Sequence, residues 1–279
     1  MMTAFRQGEA RRQQSPERAV GSHIWSDLLF LHWRLPVDAV RPLVPAELEI
    51  DTYDGDAWVG LIPFRMSGVR PWWSPPIPWL SRFAETNVRT YVHCRGCGPG
   101  VWFFTLDATN PIVVRIARTL WHLNYYDARL TISSDSGSIT WQGRRSDKSA
   151  PSGEYLIRAD LSPELPKAAD PATLEHFLVE RYVLYARSKR GQLCRGRVHH
   201  QPYAIQSAAL TVCRQTMLPA MGLDVTRHPD HAVFCAGVDV AILRLRTVDV
   251  GRSFGPGDAR PAAVTQDEVA VATIGLRDE

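Results

Sequence analysis

Short runs rich in Val, Ile, Thr, Trp and Tyr, cut apart by Gly, Pro, Asp and Ser, limit what this chain can fold into. They begin with "HIWSDLLFLHWRL" and "DAWVGLIPFRM" and continue through "FAETNVRTYVHC", "GVWFFTL", "ARLTISSD", "GSITWQGR" and "EYLIRAD". They end with "RGRVHH", "YAIQSAALTV" and "GVDVAILRLR". β-Branched and aromatic side chains suit a pleated, half-buried surface and the spacers are turn formers, so about ten strands are predicted. "SSDSGS", between Ile132 and Ile139, reads as a hairpin turn that makes its flanking strands antiparallel neighbours.

Helical patterns interrupt the strands. In "NPIVVRIARTLW", Asn110 is a natural N-cap and Pro111 fits the first helical position, with Val113, Ile116, Ala117 and Leu120 on one face. "DPATLEHFLVERYVLYAR" repeats the device with Asp170 and Pro171, burying Leu174, Phe177, Leu178 and Tyr185. A short turn is expected at "VDAVRPLV", and "RQTMLPAMG" reads as helical up to Gly222. Strands dominate with helices inserted between them, which gives an α+β, β-rich class built on an antiparallel sheet or closed barrel.

The chain has 279 residues, of which 45% are hydrophobic and 22% charged, enough for a well-buried core. Residues 1–21 are polar and aperiodic and read as a flexible arm, residues 22–248 as a single domain, and 249–279 as a flexible extension with "VAVATIGL" as a candidate docked strand. A net charge of +3 from 32 basic and 29 acidic residues is too balanced to point to nucleic acid or a membrane as partner. The absence of a run of about 18 apolar residues argues against a span, and five cysteines without regular spacing suit a reducing cytoplasm.

The chemistry concentrates on two strands. Period-two alternation in "FAETNVRTYVHC" puts Glu85, Asn87, Arg89, Tyr91 and His93 on one face. "YYDARLTIS" puts Tyr125, Asp127 and Arg129 on one face and Tyr126 on the other. Such faces are either wet sheet surface or the lining of a binding site, and Tyr and Arg are unusual choices for mere solubility. "RPWWSPPIPWLSRF", just before the Glu85 strand, suits a pocket wall, a contact between copies in a homo-oligomer, or a loop folded on the core. His93, Cys94 and Cys97 supply only part of a zinc site, so no metal is expected; no glycine-rich phosphate loop or G-x-S-x-G elbow is present, so no nucleotide cofactor is expected.

The stretches "LLFLHWRLPVDAVRPLVPAELEIDTYDGDAWVGLIPFRM", "FAETNVRTYV", "GVWFFTLDATNPIVVRIAR", "HHQPYAIQ" and "AGVDVAI" occur in order and resemble the YqjF-like family of bacterial proteins. That family is in turn similar to acetoacetate decarboxylase. The resemblance implies a closed antiparallel barrel with a few flanking helices and a small-molecule cavity. It aligns Glu85 with an active-site glutamate and sets Tyr125 and Tyr126 where the decarboxylase has paired lysines. A phenol forms no imine, so Schiff-base decarboxylation is not expected. The expected site comprises Glu85, Arg89 and Tyr125 as catalytic groups, with Asn87, Tyr91, Arg129, Tyr126 and His32 as ligand contacts. Arginine would clamp a carboxylate, Tyr125 would donate to a carbonyl oxygen, and Glu85 would move a proton, as in a cofactor-independent lyase, isomerase or cyclase. A non-catalytic binder on the same barrel and a structural domain with a filled core are the other readings.

Overall fold

The computed structural model describes residues 18–248 except Pro78 and Ser136, so the expected arm and extension fall almost wholly outside the described residues. The chain runs through β1 (Gly21–Leu35), α1 (Val37–Val40), β2 (Glu49–Ile50), β3 (Ala57–Pro71), β4 (Phe83–Cys94) and β5 (Gly98–Ala108). It continues through α2 (Pro111–Leu120), β6 (Tyr125–Asp135), β7 (Ser138–Arg145) and β8 (Glu154–Leu161). It then passes α3 (Leu174–Val179), β9 (Val183–Arg187), β10 (Leu193–His199), β11 (Ile205–Gln215), β12 (His231–Ile242) and β13 (Arg246–Thr247).

The thirteen described strands form one sheet whose pairings return on themselves twice. A wall of five strands, β12-β1-β3-β4-β5, belongs to both circuits. On one side β6, β7, β8 and β11 complete a circuit of nine; on the other, β9 and β10 complete a circuit of seven through the β5–β9 and β10–β12 pairings. The sheet is not wholly antiparallel, because β5 pairs in parallel with both β6 and β9. Parallel neighbours need a crossover, and α2 supplies it between β5 and β6.

Each circuit has its own core. One hydrophobic cluster takes a residue from every strand of the nine-strand circuit, among them Leu31, Leu61, Val88, Phe104, Leu130, Trp141, Ile157, Ala208 and Phe234. The other lies across the wall and gathers Phe30, Ile62, Phe64, Leu106 and Val233 with Phe177 and Leu178 of α3. Wall strands are therefore buried on both faces, which is why "LLFL" in β1 is a continuous apolar run.

Local signals account for most elements. Asn110 caps α2 as expected, its Oδ1 accepting from the amides of Ile112 at 3.1 Å and Val113 at 3.2 Å. The buried stripe is Val114 and Ala117, so Ile116 and Leu120 face outward. The hairpin forms, with Asp135 opposite Ser138. Near "RQTMLPAMG" only a 3-10 turn forms, Pro219–Met221, closed by Gly222 at φ 81°. The second long helix is cut short: Thr173, not Asp170, caps α3, and Val183–Arg187 is the strand β9. Glu180 marks the break, since its carboxylate accepts the amide of Tyr203 at 2.9 Å and the hydroxyl of Tyr182.

Inside the nine-strand circuit lies a buried ion pair. Arg145 donates from Nε and Nη2 to the two oxygens of Asp107 at 2.6 and 2.8 Å, and both side chains are 1% exposed. Next to it Thr86 and Tyr155 share a 2.6 Å hydrogen bond, and Tyr155 lies so close over Gly143 that a Cβ there would meet its ring at 2.3 Å. Arg145→Ala leaves the Asp107 carboxylate buried without its cation, and should destabilise the fold by about 3–5 kcal/mol in urea denaturation. A loss below about 1 kcal/mol would show that water reaches Asp107.

Candidate functional site

Flanked by β3 and β5, β4 has no wet face. Glu85, Asn87, Arg89 and Tyr91 are buried, at 3, 5, 8 and 0% exposure, on the side of the seven-strand circuit. Their alternates Thr86, Val88, Thr90 and Val92 are fully buried as well. The row that alternation isolates therefore points into the protein, covered by α3 and by the segment around Tyr203.

Glu85 meets one polar partner there. Tyr125 stands at the start of β6, where β6 pairs with β5, and its hydroxyl donates to Glu85 Oε2 at 2.9 Å. Burial pushes the Glu85 carboxyl up to about 8, opposed by the Tyr125 hydrogen bond and helped by the charge of Asp107 across the sheet. Near neutral pH Glu85 is thus mainly a neutral acid. Tyr125 is itself pushed well above the usual phenol range, by burial first and then by Glu85.

Arg89 shares its face of β4 with Glu85 but makes no ion pair with it, and among the described residues no carboxylate pairs with this guanidinium. One terminal nitrogen donates to the Leu178 carbonyl at 3.2 Å, while Nε is buried without a partner, as is Oδ1 of Asn87. The rings of Phe30 and Tyr91 each lie 5.7 Å from the guanidinium carbon. Leaving such groups unpaired costs of order 1–3 kcal/mol each, more for a charge.

A hydrogen-bonded chain of three rings borders Arg89. The Tyr91 hydroxyl donates to the Leu178 carbonyl at 2.8 Å and lies 2.7 Å from His32 Nε2. With its proton so committed, Tyr91 must accept from His32 Nε2–H, which leaves His32 Nδ1 to accept from His231 Nδ1–H at 2.9 Å. Burial holds both imidazoles below their usual range, His231 at about 4, and keeps them neutral. His32 was legible as a strand histidine, whereas nothing in "PDHAVFC" marks His231: only the β1–β12 ladder sets it opposite His32.

Two expected contacts lie elsewhere. Arg129 is exposed, on β6 beyond the start of the strand, where Arg118 Nε of α2 donates to the Tyr125 carbonyl at 2.5 Å. Tyr126 turns to the opposite face of the sheet from Tyr125, against Arg145 and Arg118 at 4.7 and 5.4 Å. The tryptophan-rich loop is no wall of this site, since Trp72, Trp73 and Trp79 are 58–67% exposed. Lys148, Lys167 and Lys189 are all exposed. Among the described residues no group of three or more potential metal ligands gathers.

A cleft of about 390 Å³ opens where the edge of β5 passes from β9 to β6, lined by Leu43, Trp102, Phe103, His122, Leu123 and Tyr185. Glu85, Arg89 and Tyr125 do not line it. Phe103 connects the two places: it lines the cleft and stands opposite Arg89 in the β4–β5 ladder.

A predominantly β chain with few helices and this arrangement of strands has an acetoacetate decarboxylase-like fold. The acetoacetate decarboxylase of Legionella pneumophila superposes with a TM-score of 0.55 at 12% identity, covering 84% of this chain and 88% of that one. The enduracididine biosynthesis enzyme MppR, complexed with pyruvate, gives 0.55 at 13% identity, covering 84% and 93%. Within that class the chain belongs to DUF2071, described as an uncharacterized conserved protein family, which matches residues 22–239. The protein YqjF of Bacillus subtilis (strain 168) is 35% identical over 223 residues, 80% of this chain and 90% of that protein.

A carboxyl raised from 4.5 to about 8 on folding contributes stability that is fully present below pH 4.5 and is lost as the pH climbs toward 8, because the folded state then holds a proton the unfolded chain has released. Glu85→Gln, which keeps the acceptor for Tyr125 but cannot ionise, should therefore match the parent below pH 4.5 and exceed it by a few kcal/mol at pH 8. Chemical denaturation across that range measures the difference. Parallel curves would mean that Glu85 titrates normally.

Proposed function

We propose that the chain is a small-molecule enzyme acting on a carboxylated or carbonyl compound without a Schiff-base lysine, at the site formed by Glu85, Arg89 and Tyr125. The observation that carries this reading is the buried guanidinium of Arg89, with no carboxylate partner among the described residues and its Nε unbonded, on the same face as the unbonded Oδ1 of Asn87. A ligand carboxylate would supply the missing counter-charge, and its charge-assisted hydrogen bonds with a planar guanidinium are strong and directional. Pyruvate, with which MppR is complexed, belongs to the same chemical class.

The other groups suit proton transfer. A neutral Glu85 with its carboxyl near 8 is poised as general acid, and after donating it serves as base. Tyr125, hydrogen-bonded to Glu85, would redirect its hydroxyl to a carbonyl oxygen as that oxygen gains charge. That division of labour serves a lyase, isomerase or cyclase and calls for no cofactor. The two circuits of strand pairing support reading the sheet as a closed barrel, with the ligand entering from the cleft past Phe103. Five cysteines, none in a disulfide, are consistent with a reducing cytoplasm.

A structural reading draws on a different observation: Phe30, Phe177, Leu178 and Tyr203 pack in the core over the polar row, and the cleft stops short of it. Thermal shift and calorimetry with a panel of small 2-oxo and 3-oxo carboxylates separate the two. The proposal expects at least one acid to bind, and Arg89→Lys, which keeps the charge but loses the fork, to weaken it about 10- to 100-fold at unchanged Tm, equivalent to roughly 1.5–3 kcal/mol for a hydrogen bond to a charged group. Failure of the whole panel to bind would favour the filled core. Borohydride added with any binding oxo acid should trap no covalent adduct, and a fold-dependent adduct on Lys148, Lys167 or Lys189 would overturn the imine-free chemistry.

A further inference from the structure

The large apolar side chains that stand in solvent are concentrated at one end of the molecule. Apart from Leu165, those exposed among the described residues are Ile24, Trp72, Trp73, Ile77, Trp79, Ile112, Ile116 and Leu120. They come from three adjoining segments. Ile24 of β1 is paired with Ser67 near the end of β3, and the Trp72 amide donates to the Val20 carbonyl at 3.2 Å. Asn110 Nδ2 at the start of α2 donates to the Trp79 carbonyl at 3.3 Å. Along α2 the exposed residues recur every four positions and form a second apolar stripe beside the buried Val114 and Ala117.

The charge pattern around this surface is one-sided. Residues 57–84 and 108–126 contain Arg65, Arg70, Arg82, Arg115 and Arg118 but no Asp, Glu or Lys. Arg65 is paired with Asp27 and Arg118 with Asp147, whereas no carboxylate pairs with Arg70, Arg82 or Arg115 among the described residues. Tryptophan and arginine enriched, with lysine and acids depleted, is the composition of protein interface cores. Arg18 already lies over the Trp72 ring at 3.8 Å, so the indoles of this patch do take up guanidinium groups.

We infer that this face, formed by the Trp72–Trp79 loop and the outer stripe of α2, is the contact between two copies of the chain. It carries both halves of an arginine–tryptophan pair and is thus self-complementary across a two-fold axis, the commonest oligomer symmetry. Its extent also fits. With side chains of roughly 150–250 Å² each, the three indoles at their observed exposure present roughly 300–450 Å². Five aliphatic residues extend this toward the about 800 Å² that each partner contributes to a stable interface. The contact would adjoin the candidate site, since Arg82 stands three residues before Glu85 and Leu120 five before Tyr125.

Sedimentation velocity on the full chain tests this. The wild type should be a dimer, and Trp73→Glu and Ile116→Glu should each raise the dissociation constant at least ~30-fold, as loss of an interface anchor does. Both positions are exposed, so far-UV circular dichroism and Tm should hold, and the control Leu165→Glu should remain dimeric. A wild-type monomer at all concentrations overturns the inference, and its binding to phosphatidylglycerol vesicles would reassign the face to a lipid surface. A dimer that survives both substitutions also overturns it. Acrylamide quenching of the unmodified chain gives an independent reading: indole accessibility should fall as concentration rises, and accessibility that does not change with concentration counts against the dimer.

Discussion

A row of acid, amide, guanidinium and phenol on a strand buried on both faces has to find its hydrogen bonds inside the protein. That demand shapes the core of the seven-strand circuit. Tyr91 reaches the Leu178 carbonyl and His32, Glu85 takes the Tyr125 hydroxyl, and α3 ends where the one carbonyl of Leu178 receives both Tyr91 and Arg89. Water would satisfy these groups at once on an ordinary sheet surface. Here the partners come from β1, β6, β12 and α3, elements far apart in sequence.

Arg89 and Asn87 are the incomplete part of that solution. Buried polar groups are nearly always paired, and departures from the rule tend to mark sites kept for something the chain itself does not supply. The contrast within this protein is instructive. Asp107 and Arg145 lie just across the wall, equally buried, and satisfy one another bidentately. The same sheet thus holds a completed charge pair on one face and an uncompleted charge on the other. The completed pair needs nothing further, while the uncompleted charge is what the proposed ligand carboxylate would meet.

The cost of the neutral Glu85 follows from the same geometry. Desolvation is the main cause that pushes its proton affinity into the neutral range, and its hydrogen-bond partner is a tyrosine, itself reluctant to ionise at that depth. A lysine at position 125 would have ionised Glu85 and paired with it. With a phenol there the carboxyl keeps its proton.

Most of the strands, the hairpin turn, the α2 cap and the polar row of β4 were legible in the residues, because alternation and capping act within a few positions along the chain. Asn110 needs only its own neighbours to cap, and Glu85, Asn87, Arg89 and Tyr91 share a face by strand geometry alone. Which stripe of α2 goes inside was not legible, since Val113 and Ile116 stand beside Val114 and Ala117 as a second apolar stripe and tertiary packing makes the choice. Nor was the end of α3 at Val179, where pairing of β9 with β5 and β10 outweighs helical periodicity. The same holds for His231 joining the site and Arg129 leaving it: one depends on a ladder between residues 199 positions apart, the other on which face of β6 is covered. Sequence by itself determined which groups stand together on each strand. Tertiary structure alone decided which of those groups meet across strands and which are left without a partner, because burial and cross-strand register are properties of the whole sheet and not of any one segment.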